Sequence, residues 1–204
     1  KRDVYSINAT ALINNGVDNI KRDIKTTKKN FLWFGSSGLV HKGLDLCLEY
    51  FRENKNLTLH VCGRMEDDFK VVFQDCFEEK NIIFHDFTDV KSQKFIDIVS
   101  QCSFSILPTC SEGQATSLLT TMGAGLIPLA TIYSGVDIKK YGFLIKELNI
   151  ESINFTLDEV SKLSKEDILN QSILNQEYIN NSHDLISFEN ELTIFIVNIL
   201  NVKC

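Results

Sequence analysis

A chain of 204 residues can bury a sizeable core without disulfides or metals, and 44% apolar with 24% charged residues is the composition of a folded domain. The net charge of −6 argues against nucleic acid or an anionic membrane as a broad-surface partner, yet leaves room for a small anion held by N–H groups and one lysine. No apolar run approaches the roughly 20 residues that span a bilayer.

No signal peptide opens the chain. The first residue is Lys1 rather than Met, which reads as a processed chain or as a piece of a longer one, and a cytoplasmic protein is expected. The cysteines Cys47, Cys62, Cys76, Cys102, Cys110 and Cys204 form no metal-binding pair and read as reduced core residues. His41, His60, His85 and His183 are scattered without ligand spacing, so no metal is expected.

From Phe31 the chain alternates short apolar runs with amphipathic ones. Phe31 to Phe34 is a buried strand ending at Gly35, and the loop Ser36 to Gly43 follows. Leu44, Cys47, Leu48 and Phe51 recur at helical spacing and put one apolar stripe on a helix. Leu57 to Cys62 is the second strand, closed by Gly63, and a helix is predicted over Glu66 to Glu79. Ile82 to Phe84 is a third short strand.

Phe95, Ile98, Val99 and Cys102 repeat the helical stripe before the strand Phe104 to Leu107, which Pro108 stops. After the loop Thr109 to Gly113 a helix runs to Met122 and ends at the Gly123-Ala124-Gly125 cluster. Leu126 to Ala130 and Gly142 to Ile145 are the last strands. The polar tail from Ile150 to Leu200 carries helices around Leu157 to Leu163 and Phe188 to Leu200, packed on the same domain. The order strand, helix, strand implies right-handed crossovers and a Rossmann-like α/β fold, a mostly parallel sheet with helices on both faces.

In such a sheet ligands sit beyond the carboxyl ends of the strands, where strand order switches. Three loops leave those ends with suitable chemistry. In Gly35-Ser36-Ser37-Gly38-Leu39-Val40-His41-Lys42-Gly43 the glycines permit close backbone approach, and Lys42 offers an ammonium to a phosphate. In Ser111-Glu112-Gly113-Gln114-Ala115-Thr116-Ser117 a helix begins whose free N–H groups favour an anion. Glu112 has two readings there: it caps the helix with Ser111, or it accepts hydrogen bonds from sugar hydroxyls beside the phosphate. Arg64, after Gly63, either reaches a phosphate or solvates a helix start. Phe84 to Phe87 is the expected base pocket.

These loops resemble the donor-binding half of retaining glycosyltransferases of family 4, which have the GT-B fold. The similarity begins at Ile13-Asn14-Asn15-Gly16-Val17-Asp18, like the Asn-Gly-Val-Asp signature near the hinge between the two GT-B domains. It continues through Phe34-Gly35, Lys42-Gly43, Gly63, Pro108 and Glu112-Gly113 to Met122, Gly125 and Pro128.

The resemblance implies one half of a GT-B fold. Residues 1–30 hold the end of the hinge and a lead-in, 31–149 form the nucleotide-sugar-binding domain, and 150–204 are C-terminal helices. It implies sugar transfer from a nucleotide sugar, a substrate rather than a cofactor, with retained configuration and without metal, in polysaccharide or glycolipid synthesis. Lys42 would contact the diphosphate, Glu112 the donor sugar, and the amides of Gly113, Gln114, Ala115 and Thr116 the sugar and distal phosphate; Gly35, Ser36, Gly38, Arg64 and Thr120 complete the expected donor set. An acceptor domain would precede Lys1 and make any peripheral membrane association. The piece alone would be inactive, because the reacting centre lies between the domains.

Two positions depart from the family pattern. Ser36 stands where an Arg usually follows the first strand's Gly, and Thr120 stands where a second Glu usually comes eight residues after the first. They leave open an active enzyme with a variant donor site, or a degenerate transferase acting as a non-catalytic partner subunit. A dinucleotide-dependent oxidoreductase would need Gly-x-Gly-x-x-Gly after the first strand, and Gly35-Ser36-Ser37-Gly38 does not supply it.

Overall fold

The computed structural model describes residues 7–12 and 20–201. The Asn-Gly-Val-Asp run falls outside them. After a short helix, α1 (Ile24–Thr27), capped by Asp23, strand and helix alternate as β1 (Asn30–Phe34), α2 (Leu44–Glu53), β2 (Thr58–Cys62), α3 (Asp67–Val72) and β3 (Ile82–Phe84). There follow α4 (Gln93–Ser100), β4 (Phe104–Leu107), α5 (Thr116–Gly123), β5 (Ile127–Ala130), α6 (Ile138–Tyr141) and β6 (Phe143–Leu144). All six strands are parallel, in the order β3-β2-β1-β4-β5-β6. The order therefore reverses between β1 and β4, which places a crevice at their carboxyl ends.

Alternation along β1 explains the layers. Phe31 and Trp33 face the core that holds Leu44, Leu48 and Phe51 of α2, whereas Leu32 faces Phe95, Ile98 and Val99 of α4. Phe31 sets the depth of the first layer, stacking on Phe104 at 5.2 Å and meeting Phe51 edge-on at 5.4 Å. A strand buried on both faces is a continuous apolar run, as Phe31-Leu32-Trp33-Phe34 is.

The helix predicted over Glu66 to Glu79 is broken. After Val72 the chain tightens into a 3-10 turn, Gln74–Glu78. Phe69 and Cys76 are its buried residues, while Val71 and Val72 are exposed, so no continuous apolar stripe holds a longer helix on the sheet.

The tail forms three helices rather than the two expected: α7 (Ile150–Ser161), α8 (Lys165–Ser182) and α9 (Leu185–Asn201). A reciprocal capping box starts α8, with Ser164 accepting from the Asp167 N–H and Asp167 from the Ser164 N–H. Ser172 and Asn175 of α8 donate to the carbonyls of Gly125 and Leu126, which docks α8 on the α5–β5 turn. Arg22 ties down the same region, donating to the carbonyls of Val99, Cys102 and Ala124; burial lowers its pKa to about 10.

Candidate functional site

Two loops that are distant in sequence meet because glycines let them. Gly43, just before α2, has φ +69°, and a Cβ there would lie 2.2 Å from the Pro108 carbonyl oxygen after β4. Gly135 has the same φ, and its Cβ would fall 2.1 Å from the Gly113 carbonyl oxygen. The Trp33 indole N–H donates to the Lys42 carbonyl at 3.2 Å, and the Glu112 N–H donates to the Tyr133 carbonyl at 2.8 Å.

Held in this way, the Lys42 ammonium forms a mostly buried ion pair with Glu112. Glu112 therefore does not cap the helix. The N-cap of α5 is Ala115, which offers no side-chain acceptor, so the first-turn amides carry no side-chain cap. The Ser111 carbonyl is engaged by His41.

The ion pair lies in the wall of a cavity of about 330 Å³ at the strand-order reversal. Gly35, Ser36 and Lys42 after β1, Gly63 after β2, Phe87 to Val90 after β3, and Glu112, Gln114 to Ser117 and Thr120 after β4 line it. Among these lining side chains Lys42 is the one cation, set against the carboxylates Glu112 and Asp89. Gly113 is not in the wall, yet a Cβ added there would meet nothing within 4 Å, so the protein's own packing does not require glycine at that position.

Besides Gly113, two expected residues do not line this cavity. Arg64 is exposed and does not line it. Gly38 stands back from it as well, with its N–H donated to Glu66 at 2.9 Å. Of the segment Phe84 to Phe87, only Phe87 reaches the wall; Phe84 stacks on Phe77, and His85 pairs with His60. Asp86, at φ 55°, turns the chain so that Phe87 to Val90 follow as lining residues.

One wall was missed from the sequence. Residues 8–12 cross the site as an N-terminal strap. The Ala9 N–H donates to the Gln114 side-chain oxygen at 2.5 Å, and the Leu12 N–H to the Thr120 hydroxyl at 3.1 Å. The Ala11 N–H donates to the His183 carbonyl, and Asn8 is held by the Glu191 carboxylate of α9. The Thr120 hydroxyl oxygen and the Gln114 amide oxygen thus accept from the strap, while Leu12 lines the cavity.

Cys47, Cys62, Cys76 and Cys102 are buried free thiols, but Cys110 is exposed, contrary to its reading as a core residue. It follows Thr109 on a loop rather than standing within a strand. No helix among the described residues is long and apolar enough to cross a membrane.

The family model described as glycosyl transferases group 1 matches residues 17–182. The chain belongs to this family. Its fold is that of solved GT-B glycosyltransferases. A glycosyltransferase from Rickettsia africae is 14% identical, with a TM-score of 0.72 over 93% of this chain and 55% of its own. HepE from Anabaena, solved with UDP and glucose, is 11% identical, with a TM-score of 0.72 over 84% of this chain and 49% of its own. TarM from S. aureus, solved with UDP among its ligands, is 14% identical, with a TM-score of 0.71 over 95% of this chain and 39% of its own. The glycosyltransferase domain described here thus spans about half the length, or less, of these solved chains. No curated protein matches the sequence.

Proposed function

We propose that this chain is the donor-binding half of a retaining, metal-independent glycosyltransferase. In this reading it holds a nucleotide sugar against an acceptor carried by a domain outside the chain, in the synthesis of a polysaccharide or glycolipid. The observation that carries the reading is the meeting of Lys42 and Glu112 beside the uncapped first turn of α5, at the strand-order reversal. An ammonium and free helix amides favour a phosphate, and a carboxylate beside them suits sugar hydroxyls.

When a donor enters, Lys42 exchanges Glu112 for the diphosphate, and Glu112 turns to the sugar. Gly113 leaves its surroundings open for that sugar, and Ala115 and Thr116 present the helix start. As the glycosidic bond breaks, charge grows on the departing diphosphate, where Lys42 and the α5 amides stabilise it. Gln114 and Thr120 act indirectly, holding the strap whose Leu12 closes one side.

A second reading has its own observation. Ser36 supplies no cation, Arg64 lies outside the cavity, and Thr120 is engaged by the strap, so among the described residues a diphosphate in the cavity meets a single positive side chain. Each missing charge-assisted hydrogen bond costs about 1.5–3 kcal/mol. A domain so depleted fits a non-catalytic partner subunit.

Thermal melting against UDP, GDP, CDP and ADP, free and sugar-linked, separates the two. At a hundred times its dissociation constant a ligand adds about 2.7 kcal/mol of stability, or about 5–10 °C for a domain of this size. A nucleotide-specific rise that Lys42→Ala abolishes supports the donor site. No rise with any nucleotide at millimolar concentration leaves the partner subunit.

A further inference from the structure

Beside the cleft stands a second group of reactive side chains that do not line the cavity. We propose that Cys110 and His41 form a thiol–imidazole pair that is a site of covalent modification by small disulfides. The His41 Nε2 lies 2.5 Å from the Ser111 carbonyl oxygen. A carbonyl only accepts, so Nε2 carries the hydrogen and donates it, which in the neutral ring leaves a lone pair on Nδ1. That lone pair faces the Cys110 Sγ at 3.3 Å, and the thiol donates to it. Nucleophile, base and orienting acceptor therefore stand in the order that activates a nucleophile.

The backbone fixes this geometry. The Cys110 N–H donates to the His41 carbonyl at 3.0 Å, and the Thr109 hydroxyl reaches the same oxygen at 3.3 Å. The Thr131 hydroxyl in turn donates to the Thr109 carbonyl at 2.5 Å. Lys42 and Glu112, which neighbour the pair on the two loops, are paired with each other. Cys110 is exposed, so a soluble reagent can approach it. The other described cysteines offer the contrast: burial pushes the thiols of Cys47, Cys76 and Cys102 up, and that of Cys62 to about 12.

In the reaction His41 Nδ1 takes the thiol proton and the Cys110 sulfur attacks one sulfur of a low-molecular-weight disulfide. A new S–S bond forms, the reagent's S–S bond breaks, and the leaving thiolate takes the proton back from His41. Cys110 is oxidised to a mixed disulfide and half of the reagent is reduced to a thiol. The modified loop is the one that carries Glu112.

The test uses the full chain with Cys204, which lies outside the described residues, replaced by Ser. The probe is bis(nitrobenzoate) disulfide, whose released thiol is coloured. At pH 7 one thiol per chain should react at least about ten-fold faster than the same cysteine in a peptide of residues 107–113, and the label should map to Cys110. Cys110→Ser should abolish it. His41→Gln should slow the reaction at least about ten-fold at pH 7, yet leave it within about two-fold at pH 10, where exposed thiols ionise unaided. A parent rate equal to the peptide's, a label elsewhere, or a His41→Gln rate unchanged at pH 7 would overturn the proposal. So would a loss at both pH values, because His41 would then only shape the loop. If His41→Gln fails to fold, the parent-to-peptide comparison still decides.

Discussion

The cavity has two kinds of wall. The cradle, built from the loops after β1 and β4, is fixed by backbone packed on backbone, with Gly43 against Pro108 and Gly135 against Gly113. The strap of residues 8–12 buries little more than Ala11 and is held chiefly by hydrogen bonds that it donates to Gln114, Thr120 and His183. Close packing has no intermediate state to relax into. A hydrogen bond that faces water can be exchanged at a net cost of about 1 kcal/mol. The cradle should therefore fail as a unit, and the strap should peel.

The largest effect should come from Gly43→Ala. The added methyl meets a backbone oxygen in a left-handed conformation, so neither neighbour can rotate away. A loss of about 4 kcal/mol is expected, seen as a melting temperature lower by about 8–16 °C. A variant melting within about 2 °C of the parent would show that the cradle gives as easily as the strap.

Acid should loosen the β3 side of the cavity next. His60 and His85 stack, with His60 Nδ1 and His85 Nε2 3.0 Å apart, just before the lining segment Phe87 to Val90. An imidazole in the unfolded chain takes its proton near pH 6.5, whereas burial, and then the neighbouring His85, hold folded His60 at about 4. The unfolded state therefore binds more protons between those values, and stability falls as the pH drops through that window. His60 alone contributes a loss of about 3 kcal/mol across it. Burial and Lys94 lower His85 as well, which adds to the loss. Melting temperatures taken from pH 7.5 down to 4 should fall accordingly, and more gently in His60→Asn. Equal slopes would mean that other groups carry the acid sensitivity.

The strap predicts a smaller and more local response. Gln114→Ala with Thr120→Val removes two acceptors from partly exposed amides, at about 1 kcal/mol each. Hydrogen exchange at Ala9 and Leu12 should speed up by about ten-fold, with the sheet amides unchanged. Faster exchange throughout the sheet would show that the strap is part of the cooperative core.

The same division decides what was legible in the sequence. The strands were readable as short apolar runs, three of them stopped by Gly35, Gly63 and Pro108, and Lys42 and Glu112 stood out because their loops leave strand ends. The ion pair between them was not readable, since it depends on the way Gly43 packs on Pro108. The strap was hidden for a stronger reason: Asn8 finds Glu191 across 183 positions, and Ala9 finds Gln114 across 105, through groups that carry no pattern. The start of α8 was written in Ser164 and Asp167, a capping-box signal within a tail that looked merely polar. The base pocket was expected at Phe84 to Phe87, but the chain turns at Asp86, and of that segment only Phe87 lines the cavity, followed by Thr88 to Val90.

The smallest change in stability sharpens the comparison most. Gly43 and Gly135 are glycines that the protein needs, because its own backbone occupies the space of their Cβ atoms. Gly113 sits in the same cradle, yet nothing lies within 4 Å of where its Cβ would be and its φ is not positive. Gly113→Ala should therefore melt within about 1–2 °C of the parent, a stability change of no more than about 0.5 kcal/mol. If a sugar lies against that position, the methyl must displace it, and the affinity for a nucleotide sugar should fall at least about ten-fold while that for the free nucleotide changes little. A methyl that alters neither stability nor binding would move the sugar elsewhere in the cavity. A methyl that weakens both ligands alike would place it against the nucleotide instead.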